Sequence, residues 1–526
     1  MFTALIRKLR VLSIVAGIFI CFYFIARVVV FSYSDYSRLD KLFGLFLLAS
    51  EFYILVHAFG FMLNIFTLSS WRGKPRLGVS TPGREPSVAI VMAARHEPKE
   101  VLEGTLIVLH NVDYTNKSIY FLDDSSEQAN KDMDDELARA HGIKMFRREQ
   151  RHGAKAGIVN DFLLGMKEKY IAIFDADQNP MPDFLKEVIP ILEGDDKLAF
   201  VQTPQFYSNI GESPVAKASA MQQAIFYESI CEGKNATGSI FCCGTNVVFR
   251  REALQEVGGF AEDFITEDFA TSVNLHTKGW RSWYHNHVVA FGTGPETLPA
   301  YFSQQARWAG GTISVFRKLL AALYDNPSTL SPGQWWEYML AGTYYFVGWA
   351  FFFLMICPIA FLIFNIPSFF LYPQIYLFTY LPYFCLTLLV FFGTMRERHY
   401  NFRQIYSGLI LGSLCFPLLM RAALYGLFGR RMKFVVTAKG RSEVLPLADL
   451  WPYLVMIALN AVAIGFGLMR IRQNPSAISV NMFWAGYHLF ILWNIFYFNQ
   501  LPVLGREEKA KWAVKPAAVP AQDRGN

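Results

Sequence analysis

Apolar positions along the chain fall into two regimes. Toward both ends they form runs long enough to cross the hydrocarbon of a bilayer: Leu12 to Phe31, Leu42 to Ser70, Tyr345 to Ile366, Ile375 to Gly393, Trp451 to Met469 and Met482 to Leu501. These predict about six transmembrane helices. Arg27 lies near one end of the first run, where a long side chain can snorkel, whereas Glu51, His57 and Asn64 interrupt the second and are expected to face protein. Leu409 to Phe428 is also apolar but carries Arg421 and several Gly, and reads as a helix lying at the interface.

Between Trp71 and about Pro332 the runs shorten to strand length and alternate with helical stretches. Ser87 to Ala93, Ser118 to Leu122, Gly142 to Phe146, Tyr170 to Asp175, Leu198 to Tyr207 and Ile240 to Thr245 read as strands, the first few separated by helices in a doubly wound α/β pattern. The chain therefore divides into an N-terminal membrane segment (residues 1–70), a water-facing α/β domain (71–332), a C-terminal membrane and interface segment (333–505) and a tail (506–526).

Composition agrees with this division: 53% of residues are hydrophobic, 17% are charged, and 48 are Phe, which places the chain among polytopic membrane proteins. Arg7, Lys8, Arg10, Arg72, Lys74, Arg76, Arg396, Arg398, Arg403, Arg430, Arg431 and Lys433 fall on one side if Leu409 to Phe428 does not cross, which predicts a cytoplasmic α/β domain on the inner, plasma membrane. The net charge of +6 is then juxtamembrane charge facing anionic lipid, without the basic and aromatic clustering that nucleic acid would require. The seven cysteines have no paired metal-ligand spacing and read as reduced, structural residues.

Candidate chemistry gathers at strand ends. Tyr170 to Asp177 is an apolar, doubly buried strand that ends in Asp175 and Asp177, which an extended backbone would point to one side as hard oxygen ligands for Mg²⁺ or Mn²⁺. Asp123 and Asp124 close another strand, where they serve equally as acceptors for a nucleoside or as helix caps. Lys155, in a glycine-rich helix start, suits an anion or a solvated surface. Glu267 and Asp268 open a helix, as a capping cluster or as a general base. Gln304, Gln305, Arg307 and Trp308 combine a guanidinium fork with a flat ring that a diphosphate and a sugar could use, or that could anchor a helix at the interface.

In this order Asp123-Asp124, Asp175-x-Asp177, Thr266-Glu267-Asp268 and Gln304-Gln305-x-Arg307-Trp308 resemble the D, DxD, TED and QxxRW series of processive family 2 glycosyltransferases over about Ser87 to Lys318. Val201 to Phe206 resembles the VQTP segment, and Phe434 to Lys439 the FxVTxK gating loop, of bacterial cellulose synthases and curdlan-type β-glucan synthases. The resemblance implies a GT-A-like nucleotide-diphospho-sugar transferase domain set between transmembrane helices. It also implies inverting, processive transfer from UDP-glucose to a β-glucan that is moved across the membrane; a glycolipid synthase acting on a lipid such as diacylglycerol shares the four motifs.

Residue by residue, Asp123, Asp124 and Lys155 would hold the nucleotide, and Asp175 and Asp177 the metal and diphosphate. Gln304, Gln305 and Arg307 would hold the diphosphate, and Asp268 would act as base. Trp308, Cys243, Gly244 and Glu267 would adjoin the acceptor, and Thr437 and Lys439 would close over the donor. The implied partners are a UDP-sugar, a growing polysaccharide and the bilayer, with room for accessory periplasmic or export subunits. The sequence departs from the family pattern at Arg95-His96-Glu97, at Gln305 and at Phe241-Cys242-Cys243, and it shows no cyclic-dinucleotide-binding PilZ segment after its last apolar run.

Overall fold

The computed structural model describes residues 2–35, 37–70, 75, 78, 85–368, 373–429 and 444–500. Thr437 and Lys439, the expected gating residues, and the tail 506–526 lie outside the described residues.

Among the described residues the central domain contains ten strands: β1 (Val88–Ala94), β2 (Lys117–Asp123), β3 (Lys144–Phe146), β4 (Tyr170–Asp175), β5 (Gln178–Pro180), β6 (Leu198–Gln202), β7 (Phe206–Tyr207), β8 (Val247–Arg250), β9 (Arg281–Tyr284) and β10 (Ala290–Gly292). Seven make one mixed sheet in the order β3-β2-β1-β4-β8-β6-β9, with β8 antiparallel to both β4 and β6. β5, β10 and β7 form a second small sheet. Strand periodicity explains the packing. On β1, Val88, Ile90 and Met92 enter one buried cluster with Leu102, Leu106, Phe174 and Phe184, and the intervening Ala89 and Val91 enter another with Ile158, Val159 and Phe162.

Register then places the chemistry. Ala94 of β1 pairs with Asp123, and Ala93 with Asp175, so the tips of β2 and β4 lie on either side of the end of β1. The chain leaves β1 toward β2 and β3 on one side, and β4 lies on the other; this reversal opens a crevice at the strand ends. The expected strand Ile240 to Thr245 is irregular instead, and pairing begins at Val247. Gly244 (φ +85°) and Asn246 (φ +54°) adopt left-handed backbone there, which a strand cannot contain.

Among the described residues, five helices are long and apolar enough to cross a membrane: Lys8–Tyr33, Arg38–Leu68, Pro332–Phe364, Phe378–Glu397 and Leu447–Arg470. The stretch expected to lie flat consists of two helices, Phe402–Ser413 and Phe416–Leu427, bent by 52° at their junction, which would make a sixth span if taken as one. The stretch expected from Met482 to Leu501 is a helix Pro475–Trp493, broken at Asn494 before the short helix Ile495–Phe498. Arg27 does not snorkel: it is 2% exposed and donates from Nε to Glu51 at 2.6 Å, while the Tyr23 hydroxyl donates to the other oxygen of Glu51 at 2.7 Å.

The α/β domain docks on these helices through a close approach. A Cβ on Gly233 would lie 2.6 Å from Cγ of Asn64, so only glycine lets the helix Glu232–Thr237 meet the second membrane helix here. The next residue, Lys234, donates to Glu337 at 2.8 Å with both side chains at most 4% exposed. Removing one member of a buried pair strands the other charge and costs about 3–5 kcal/mol, whereas replacing both with apolar groups is often neutral. Lys234→Met is therefore expected to lower the unfolding temperature of the detergent-solubilised protein, and Lys234→Met/Glu337→Leu to recover most of the loss. Equal losses in the two variants would show that packing, not charge pairing, sets the cost.

Candidate active site

The crevice at the strand ends is a cavity of about 290 Å³ whose wall includes Asp124, Lys155, Asp175, Asp177, Cys243, Gln304, Arg307 and Trp308. Five loops and helices far apart in sequence supply these side chains, and each is fixed by an identifiable contact.

Lys155 lies in the first turn of the helix Ala154–Gly165, which begins after left-handed Gly153. Its ammonium donates to the Asp175 carboxylate and, at 2.7 Å, to the Gly244 carbonyl. One cation thus ties the tip of β4 to the loop before β8. Thr245 Oγ1 accepts from the Asp175 N–H at 2.9 Å, a second tie between the same segments. Asp175 ends its strand and Asp177 follows in a turn, so the pair does not share the face of one extended strand as expected; the turn nevertheless brings both to the cavity. Together they offer a hard, all-oxygen donor set on the cavity wall, and this fits Mg²⁺ or Mn²⁺.

The loop 240–246 is held by Gln202, at the end of β6. Its side-chain oxygen accepts from the Cys243 N–H at 2.8 Å, and its amide donates to the Thr245 carbonyl at 2.8 Å. Asn246, fully buried, donates to Gln178 at 2.9 Å. This arrangement presents left-handed Gly244 to Asp268: a Cβ there would lie 3.1 Å from the Asp268 Oδ2.

Asp268 and Glu267 are the first residues of the helix Glu267–Thr277. Thr266, the cap position, makes no capping bond; its hydroxyl is buried without a partner, and Asp268 accepts from the Phe269 N–H at 2.8 Å. Burial is the main reason that the Asp268 carboxyl is pushed up to about 6 and Glu267 to about 7, with the charge of Asp268 adding to the latter. The helix carrying Gln304 crosses just above: a Cβ on Gly311 would meet Thr266 at 2.6 Å, so the glycine at this position permits the approach.

Gln304, Arg307 and Trp308 share one face of the helix Leu298–Asp325 and line the cavity. Gln305, about 100° around the helix from Gln304, does not line it. Asp123 also turns away from the expected nucleotide position: it is buried, paired with Arg147, and accepts from the Ser125 N–H at 2.8 Å. Asp124 alone of the two reaches the cavity, held by Arg148 at 2.9 Å and Arg151 at 2.8 Å. Neither Glu267 nor Asp268 is on the cavity wall; Asp268 lies against Gly244, the neighbour of Cys243, which does line it. Arg147, Arg148 and Arg151 position the two aspartates although no motif marks them, and Gln202, which lies in the VQTP-like segment, holds the loop 240–246. The clustered arginines just before the Gly153 helix start were the available signal.

The profile of the family described as "Glycosyltransferase like family 2" matches residues 86–311. The cellulose synthase catalytic subunit [UDP-forming] of Pseudomonas fluorescens (strain SBW25) is 29% identical over 509 residues, covering 92% of this chain and 65% of that protein. Cellulose synthase 1 catalytic subunit [UDP-forming] of Komagataeibacter xylinus is 27% identical over 472 residues, covering 85% and 61%. The chain thus spans somewhat under two thirds of the length of these relatives. A mannosyltransferase, PcManGT from Pyrobaculum calidifontis in complex with GDP-Man and Mn²⁺, shares the GT-A-like fold with a TM-score of 0.51 at 17% identity, over 73% of this chain and 99% of that one.

The raised Asp268 carboxyl has a thermodynamic consequence of definite sign. With an ordinary value of 3.8 and a folded value of about 6, the folded protein binds more protons than the unfolded chain between those limits. This group therefore lowers stability as pH rises through the window, and its penalty is complete above about pH 6. Asp268→Asn removes the charge and is expected to raise the unfolding temperature at about pH 8, with the gain shrinking toward about pH 5. A gain of the same size at both pH values would assign it to packing.

Proposed function

We propose that this chain, which carries a family 2 glycosyltransferase domain and is homologous to cellulose synthase catalytic subunits, is an inverting, processive membrane transferase that extends a β-glucan from UDP-glucose and passes it through its own helices. The catalytic domain faces the cytoplasm in this reading. The observation that carries it is the meeting, across one loop, of a strand-tip carboxylate pair with a partly buried carboxylate: Lys155 binds Asp175 and the Gly244 carbonyl, and Gly244 lies against Asp268.

In the proposed transfer, Asp124 and the β1 end orient the nucleoside, while Asp175 and Asp177 hold a divalent cation. A Mg²⁺ or Mn²⁺ there would neutralise charge on the diphosphate leaving group. Arg307 and Lys155 face the same diphosphate with fixed positive charge, and Gln304 completes the set of donors. Trp308 offers its ring to the sugar at the growing end, beside Cys243 and Gly244. Asp268 accepts the proton of the acceptor hydroxyl as that oxygen attacks the anomeric carbon from the side opposite the diphosphate, which inverts the configuration. With its proton affinity raised, Asp268 is a stronger base than an exposed Asp yet ionised at neutral pH. Glu267 and Asp123 act at one remove, the first on Asp268 and the second on Arg147, which directly precedes the Arg148 that holds Asp124.

The test is product analysis. Purified protein given radiolabelled UDP-glucose with Mg²⁺ or Mn²⁺ is expected to form insoluble polymer that a β-1,4- or β-1,3-glucanase clears. Asp268→Asn is expected to keep UDP binding and lose at least about 10³-fold in transfer. Label found only in a lipid extract would replace polymer synthesis with glycolipid synthesis, and retained transfer in Asp268→Asn would remove that residue from the base role.

A further inference from the structure

Away from the donor cavity, Glu187 on the helix Phe184–Glu193 faces the turn after β9, where His285 and His287 alternate along extended chain. Among the described residues this is the one group of three His, Cys, Asp or Glu side chains whose donor atoms all lie within 4.8 Å of one another. Nε2 of His285 is 3.2 Å, and Nδ1 of His287 3.8 Å, from the same Glu187 oxygen. Tetrahedral Zn²⁺ with bonds of about 2.0–2.2 Å separates its ligands by about 3.3–3.5 Å, so these spacings need only small side-chain adjustment.

The backbone already supports the ligands. The His285 N–H donates to the Gln202 carbonyl at 2.9 Å, the His287 N–H to the His285 carbonyl at 2.8 Å, and the Met181 N–H to the Val289 carbonyl at 2.7 Å. These bonds hold the turn against β6 and against the segment that leads into the helix of Glu187. Without a cation, one carboxylate faces two imidazoles in an arrangement that no residue of the transfer site requires.

We propose that Glu187, His285 and His287 form a second cation site, distinct from the Asp175–Asp177 pair, that takes a borderline divalent ion of the Zn²⁺ class. Two imidazoles and one carboxylate favour Zn²⁺ or Co²⁺ over Mg²⁺, the opposite of the all-oxygen pair at the cavity. The site's role is positional. The turn it clamps continues through β10 to Thr293–Thr297, which line the donor cavity, and Asn286 between the two histidines donates to Glu232, itself paired with Arg398 beyond a membrane helix. A bound ion would therefore fix the cavity wall relative to the helix Phe184–Glu193 and to the membrane contacts.

Tag-free full-length protein in detergent, stripped with a chelator and returned to excess Mg²⁺ to fill hard-oxygen sites, is titrated with Co²⁺ while its visible d–d absorption is followed. One Co²⁺ per chain is expected, displaced by Zn²⁺, with binding weakened by about tenfold or more in His287→Ala and lost in His285→Ala/His287→Ala. Asp175→Asn is expected to leave the Co²⁺ spectrum unchanged. Unfolding temperatures provide the control for folding: the variants should match the metal-free wild type, and the metal-induced rise seen in the wild type should be absent from the double variant. Stoichiometric binding absent from the wild type, a Co²⁺ spectrum and affinity unchanged in the double variant, or a spectrum lost in Asp175→Asn would each overturn the proposal.

Discussion

The geometry of the site depends on where one ammonium group sits. Lys155 enters from a helix N-terminus, its side chain reaches the tip of β4, and the same nitrogen binds the carbonyl of Gly244. If the ion pair with Asp175 were its only contact, a partly exposed pair would fix little, because such pairs are worth at most about 1 kcal/mol. The carbonyl bond changes that balance. It makes the lysine a bridge between the strand that carries the acidic pair and the loop that touches Asp268, so the two sides of the cavity move as one. Gln202 and Asn246 keep the other side of that loop from relaxing, the first through a buried amide that satisfies the Cys243 N–H and the Thr245 carbonyl, the second through its buried bond to the Gln178 side chain.

The membrane-facing half depends on a different device. Among the described residues its buried charges are paired: Arg27 with Glu51, which also accepts from the Tyr23 hydroxyl, and Lys234 with Glu337. A buried pair is weak evidence of stability, because the cost of desolvation offsets much of the attraction, but a slip that separated the partners would leave each charge buried and uncompensated. Glu337 lies five residues into the long apolar span Pro332–Phe364, and Lys234 lies in the α/β domain. That pair, with the Gly233 approach to Asn64, sets the height and rotation of the transfer domain over its helices. The same span follows directly from the helix that carries Arg307 and Trp308, so the cavity roof and the membrane segment share one continuous anchor.

Much of this was legible from residue order alone. The strands β1, β2, β4 and β6 follow from apolar runs that fill both faces of the sheet, and the acidic pairs at the ends of β2 and β4 mark the crevice. What failed to show was anything decided by rotation about an element or by long-range partners. Gln304 and Gln305 are adjacent letters, but helical pitch sends one to the cavity and the other away from it. Asp123 and Asp124 are likewise adjacent, and the first turns inward because Arg147 is there to receive it. The loop 240–246 has the apolar composition of a strand; the amide of Gln202 and two left-handed residues outweigh that propensity. Arg27 has the sequence position of a snorkelling residue, and only the second helix reveals that Glu51 holds it in place.

The setting of Asp268 shows which of two opposing effects wins. A carboxylate at the start of a helix is favoured by the free N–H groups and the helix dipole, and Asp268 does accept from Phe269. Lys155 adds a further favourable charge. Against these stand burial and the neighbouring Asp175 carboxylate, and the net result is a proton held near pH 6, not near pH 4. Burial thus outweighs the helix start and the lysine, and Gly244 packs against the carboxylate, a Cβ there lying 3.1 Å from the Asp268 Oδ2. A larger residue at Gly244 would also have to hold its left-handed backbone (φ +85°), so the loop would shift away from Asp268 and readmit water to it.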